Sequence, residues 1–376
     1  MANKKRVTRE QMEDFTALLF RPFNGSIGNL PFGQISPKCC NNSQRAFVLK
    51  DIGSIPRFAI TPLFPPMSIL EIKNIAKAFG STRAVDGVSF QVEPGEIYGL
   101  LGPNGAGKTT TISITCGLLK PDAGEVRVNG SSFWSDPVKT RSMMGVVPQD
   151  LALYEELTGR ENLIFWGQIA GLGKPEAKKK AAGLLDALSM SDRANDTIKH
   201  YSGGMKRRIN LGCALMHQPK LLLLDEPTVG IDPQARASIL EFVRALAKNG
   251  TGILYTTHYL EEAESLCQRI GIIDKGRLLA EGSLAELQSR LGKGQLYSME
   301  AAFGDAPASI WDQLGKGFRI VQQSDTQVLV APHSDRDPTD CLRELLELPI
   351  HMENVTLKRP SLNDVFLQLT GRELRD

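Results

Sequence analysis

No stretch of this chain comes near the roughly 18 consecutive apolar residues that a membrane-spanning helix requires. Its strongest apolar run, Leu221 to Leu224, is bounded by Lys220 and Asp225, so the chain is not expected to cross a bilayer. Net charge is scarce too, at +2 over 376 residues. It is unevenly spread, because residues 1–66 carry nine Lys/Arg against four Asp/Glu and leave the remainder at −3. An acidic body gives no support to nucleic-acid binding, and no nucleic-acid partner is expected. The six cysteines (Cys39, Cys40, Cys116, Cys213, Cys267 and Cys341) show neither C-x-x-C metal spacing nor the density of a disulfide framework. A reducing cytoplasm is the simplest setting for them. The basic start Lys4-Lys5-Arg6 is followed by Glu10, Glu13 and Asp14 and by an apolar piece too short for a secretory signal.

What the chain does have is one loop around which the rest is arranged. Gly102-Pro-Asn-Gly-Ala-Gly-Lys-Thr-Thr110 fits G-x-x-x-x-G-K-[ST] and follows the apolar run Glu96 to Leu101. Strand, loop and helix are expected in that order, the helix from about Thr109 to Leu119. Gly102, Gly105 and Gly107 let the backbone turn its N–H groups toward an anion, and the helix start adds its dipole. Lys108 can reach outer phosphates and the Thr109 hydroxyl can ligate Mg2+. A glycine turn that bound nothing would not need the Lys-Thr pair.

Residues 21–66 are rich in Pro, Gly, Asn and Ser without sustained periodicity. They read as a disordered extension. Two explanations compete: a basic segment acting at a membrane surface, or sequence upstream of a functional start at Met67, which the lack of pattern favours. Regular pattern begins with strands at 69–75 and 85–92. Further on, Met144 to Gln149 predicts a strand presenting Gln149 at its end, and 159–172 and 175–190 predict helices. Lys178 to Lys180 read as a solvated face. Ser202 is placed to cap a helix reaching Met216, and Gly203 and Gly204 directly after it are poor helix formers that make sense if an anion approaches.

Leu221 to Pro227 predicts a buried strand ending in Asp225 and Glu226, which strand alternation would point to different sides, one toward a metal and the other toward a terminal phosphate. Glu226 would then act as general base or water-orienting group. Residues 252–257 predict another strand, with His258 at its end as a phosphate contact and a helix at 259–268. From 294 to 376 the pattern is β-α-β-β-α-β plus a tail helix, a small ferredoxin-like α+β unit with a regulatory or dimer-supporting role.

Taken in this order, the motifs resemble the ATP-binding subunit of an ABC transporter over residues 69–376. Gly102, Asn104, Gly105, Ala106, Gly107, Lys108, Thr109 and Thr110 match Walker A, and Gln149 matches the Q-loop. Ser202, Gly203 and Gly204 match the signature, Asp225 and Glu226 Walker B, Asp232 the D-loop, and His258 the switch histidine. By the same resemblance Phe79 stacks on adenine, and Thr109, Gln149 and Asp225 hold Mg2+. The ending Ser361 to Gly371 is similar to drug- and polysaccharide-exporter subunits of the daunorubicin and nodulation type.

Two departures stand out: Tyr201 where the family usually has leucine, expected to alter dimer-interface packing slightly, and Phe79 where tyrosine is common. The resemblance implies an α/β P-loop NTPase domain at 67–293 and an accessory domain at 294–376. It further implies two copies sandwiching ATP head to tail, and a separate membrane permease above them at the cytoplasmic face. A ribosome- or chromosome-associated ABC ATPase would instead show paired motif sets or a long coiled coil, and the interval between Walker A and signature holds no sustained heptads. A metabolic kinase would explain neither Ser202 to Gly204 nor His258.

Overall fold

The structure, a computed structural model, describes residues 68–291, 295–304, 306–333 and 336–371. The expectations for residues 1–66, and the 293/294 junction, lie outside these.

Three sheets form. The first is antiparallel, β2-β1-β4-β5, from Leu70–Phe79 (β1), Thr82–Val92 (β2), Ala123–Val128 (β4) and Ser131–Ser132 (β5). The second has the order β10-β9-β3-β8-β7-β6 and comprises Ile97–Leu101 (β3), Met144–Val147 (β6), Leu221–Asp225 (β7), Gly252–Thr257 (β8), Arg269–Asp274 (β9) and Arg277–Gly282 (β10). The five strands from β9 to β6 are mutually parallel, and only the edge strand β10 is antiparallel. In β3, β7 and β8 every residue is buried, which is why they read as continuous apolar runs rather than alternating ones.

One core, with Leu100, Leu221, Leu223 and Leu254, lies between the first two sheets. A second, with Leu222, Leu224, Ile239, Val243 and Tyr255, lies on the opposite face under the helices Gly203–Leu215 and Pro233–Lys248. The alternation along Leu221 to Leu224 thus divides one strand between two cores. Residues 159–198 form a helical layer of their own, centred on Leu163, Trp166, Leu185 and Ile198. The helix after the glycine loop is shorter than expected: it spans Lys108–Thr115 and closes at Gly117, whose φ of 73° ends it.

The third sheet, β12-β13-β11-β14, comprises Leu296–Ala301 (β11), Phe318–Gln323 (β12), Gln327–Pro332 (β13) and Met352–Lys358 (β14). Its order and its antiparallel neighbours match the ferredoxin-like arrangement read from sequence. Tyr297, Met299, Val328 and Val330 pack under the helices Ala308–Gly317 and Pro338–Leu346. The alternate residues Leu296, Leu329 and Ala331 face the other way, onto the closing helix Leu362–Thr370 and onto Ile270 and Ile272 of β9.

Candidate functional site

The ends of β3, β7 and β8 converge because the strands are parallel, and the side chains that follow them meet in one cleft of about 520 Å³. Phe79, Asn104, Gly105, Gly107, Lys108, Thr109, Thr110, Gln149 and Glu226 line it. Gly107 sits at the helix start with φ of 106°, and a Cβ there would lie 2.4 Å from the Ala84 carbonyl oxygen, so both conformation and space demand glycine. Ala106 is buried beneath the loop, its carbonyl accepting from the Gly276 N–H at 2.9 Å. Phe79 is half exposed at 51 % and stands at the cleft wall.

Lys108, only 4 % exposed, donates to the carbonyls of Gly102 (2.6 Å) and Pro103 (3.0 Å). Its Nζ also pairs with Glu226 Oε1 at 3.0 Å. The other Glu226 oxygen lies 3.2 Å from His258 Nδ1, close but off the line of a hydrogen bond. Burial works to raise the Glu226 pKa, yet His258 and Lys108 outweigh it and the net shift is downward. Asp225 turns the other way: its Oδ1 accepts from Thr256 Oγ1 at 2.7 Å. Burial dominates there and raises its pKa, although contacts with Thr256 and Thr109 oppose the shift. The two acids therefore do face different partners, but strand alternation is not the reason. The strand stops at Asp225, and Glu226 adopts φ of 46°, its N–H bonded to the Thr256 carbonyl (3.2 Å) and hydroxyl (3.0 Å).

Gln149 lies beyond the end of β6, which stops at Val147, in an exposed loop. Sequence reasoning missed what holds it. Arg207, 6 % exposed, donates to the carbonyls of Pro148 (3.3 Å), Gln149 (2.8 Å) and Val229 (3.5 Å). Burial pulls its pKa down, with nearby acids opposing. The signal was a cation on the buried face of its helix, in phase with Gly204 and Leu211.

Ser202, Gly203 and Gly204 are not among the cleft's lining residues. Ser202 caps its helix through Met205 N–H at 3.3 Å, and Gly204 rests against Ala235 and the Asp232 carboxylate. Asp232 itself caps the next helix through Ala235 N–H at 2.9 Å. Ser202, Gly203 and Asp232 are exposed, so this group forms a second patch apart from the first. Tyr201 corrects an expectation. It points inward, 6 % exposed, its hydroxyl donating to the Arg193 carbonyl, and it packs in the helical layer rather than at an interface.

A glycine loop on a strand end, a lysine across its carbonyls and two acids at the end of a second parallel strand of the same sheet define a P-loop nucleotide-binding ATPase. The ABC transporter family model matches residues 85–229. A linearmycin resistance ATP-binding protein from Bacillus subtilis is 43% identical over 321 residues, covering 82% of this chain and 100% of that protein. A daunorubicin/doxorubicin resistance ATP-binding protein from Streptomyces peucetius is 40% identical over 83% of this chain and 95% of its own length. A Nod factor export ATP-binding protein from Burkholderia lata is 41% identical, covering 83% and 100%. Among solved structures, the ATP-binding subunit of an ABC transporter aligns with TM-score 0.55 at 34% identity, over 60% of this chain and 94% of that one. The chain belongs to the ABC transporter family, as an ATP-binding and ATP-hydrolysing subunit.

Proposed function

We propose that this subunit powers export, working as a head-to-tail pair beneath a separate membrane permease at the cytoplasmic face. The observation that carries the reading is the division of the site into two places: Lys108 and Glu226 line the cleft with His258 against Glu226, while Ser202, Gly203 and Asp232 are exposed outside it, with Gly204 buried against Asp232. A second copy laid antiparallel would bring its patch over this cleft, so each ATP would be held by two chains. Export follows from the relatives, which are named for drug resistance and Nod factor export. No helix among the described residues is long and apolar enough to cross a membrane, and in this reading a partner supplies the pathway. The loop after Gln149 is the place for that partner: Arg141, Pro148, Ala152, Trp166 and His217 line a small recess beside it.

In this reading the phosphates of ATP take Lys108 from Glu226, and the freed carboxylate orients or deprotonates the attacking water. Before ATP arrives, His258 and Lys108 hold its pKa down, so it enters the cycle ionised. His258, against the same carboxylate, contacts the terminal phosphate, and Phe79 offers its ring face to adenine. The donor set fits Mg2+. The Thr109 hydroxyl and Asp225 carboxylate are already in contact, both are hard oxygen ligands, and the Gln149 amide lines the same cleft. When bound, the ion would neutralise charge on the phosphoryl oxygens. Residues 294–376 we assign an accessory, regulatory role.

Two variants test the assignment. Lys108→Ala should weaken nucleotide binding, whereas Glu226→Gln should bind ATP normally and lose about 10²–10⁴-fold in turnover while the closed dimer accumulates. Unimpaired turnover in Glu226→Gln would refute the base assignment.

A further inference from the structure

Helix Leu260–Leu266, which follows His258, carries a carboxylate that the mechanism does not use. Glu262 is 2 % exposed and has three hydroxyl donors. Thr228 Oγ1 donates to its Oε1 at 2.5 Å, and Tyr255 OH and Thr257 Oγ1 donate to its Oε2, each at 2.9 Å. All three donors are themselves buried to within about 1 % of completely. Their positions are informative: Thr228 lies two residues after Glu226, and Thr257 immediately precedes His258. Thr257 also accepts from the Tyr259 N–H at 2.9 Å, so it fixes the backbone on both sides of the histidine. Arg236, on the helix capped by Asp232, approaches Glu262 Oε1 at 3.6 Å and lies over the Tyr259 ring at 4.5 Å.

We propose that Glu262 is a positioning residue for hydrolysis, tying Thr228 to Thr257 so that Glu226 and His258 are held together from behind. A buried carboxylate with three short donors is costly to place unless every contact is kept, and here each contact fastens a segment that ends in a reacting group. Glu226 needs this restraint, since its φ of 46° is a conformation that a flexible loop would abandon. Glu262 itself does not line the cleft. It acts through the two loops and makes no contact with the phosphates.

The inference rests on the ATPase reading above, and the test separates the two. Full-length Glu262→Ala, Glu262→Gln, Thr228→Val and Glu226→Gln are compared for kcat, KM, thermal midpoint and affinity for a non-hydrolysable ATP analogue. Glu262→Ala should lose about tenfold or more in kcat with analogue affinity within about twofold of the parent. Glu262→Gln should recover part of the rate, because its amide can pair with the same hydroxyls after they rotate. Thr228→Val, nearly isosteric, covers the case in which the alanine variant does not fold, and should lower kcat about threefold with analogue affinity unchanged, its thermal midpoint falling by less than that of Glu262→Ala. Unchanged kcat in Thr228→Val and the Glu262 variants, or rate and analogue affinity falling together, would overturn the proposal. Normal turnover in Glu226→Gln would instead overturn the base assignment on which it rests.

Discussion

Lys108 and Glu226 neutralise each other at 3.0 Å in a setting that excludes most water, 4 % and 5 % exposed. Asp225, one residue away, has the Thr256 and Thr109 hydroxyls as its contacts, and burial outweighs them and raises its pKa. The consequence for stability can be signed. A carboxylate whose folded pKa is raised costs the fold energy when ionised, so the cost is present at neutral pH and disappears as pH falls through the folded value toward 3.8. Asp225→Asn, which keeps an acceptor for Thr256, is therefore expected to unfold at higher urea than the parent at pH 7. The advantage should shrink as the solution is acidified toward pH 4. A parent more stable than the variant at pH 7 would contradict this. Glu226 runs the opposite way: its lowered pKa supplies stability above about 4.5 that is lost on acidification.

At this scale the loop residues were legible because their chemistry is local in sequence, a few residues in fixed spacing. Arg207, Thr256 and Glu262 were not. Arg207 finds Gln149 across 58 positions and Thr256 finds Asp225 across 31. Nothing in the neighbouring residues announces such partners.

Among the elements, the buried parallel strands were the clearest in the sequence, and Gly252–Thr257 and Leu221–Asp225 fall where the apolar runs placed them. Helix ends were less clear, because the last turn depends on what packs beyond it. The helix expected to reach Met190 stops at Ala187, and the one expected to reach Leu172 stops at Ile169. The segment joining β6 to its neighbours depends on Arg207, which pins two carbonyls of the Gln149 loop and one of the loop after β7. Arg207→Met keeps the length and removes the donors. Charge-assisted bonds of this kind contribute about 1.5–3 kcal/mol each when buried. The variant should lose that order of stability and about tenfold in kcat, measured by chemical denaturation and steady-state turnover. A kcat equal to the parent's would show that the loop is held by something else.

Over the whole molecule, the closing helix Leu362–Thr370 is the joint between the second and third sheets. Leu362, Val365 and Phe366 are buried against Leu101, Ile270 and Ile272, and the Leu362 N–H donates to Glu264 Oε1 at 2.9 Å. Glu264 lies on the helix that follows His258, so the closing helix is fastened to the segment next to that histidine. Phe366→Ala should cost about 3–5 kcal/mol by chemical denaturation, the range for a buried aromatic in a core. A loss under about 1 kcal/mol would mean the joint is loose.

The larger organisation is the one in which a single chain holds two unlike patches, the cleft at Lys108 and the exposed cap at Ser202. If two copies complete each other's sites, two inactive variants must rescue one another. Lys108→Ala removes the phosphate lysine. Ser202→Asp keeps a good helix cap but places a negative charge where a partner's phosphate would arrive. Each alone should be inactive, and an equimolar mixture should regain about a quarter of parental ATPase activity, since half of the dimers then hold one intact site. A mixture as inactive as its components would contradict the account.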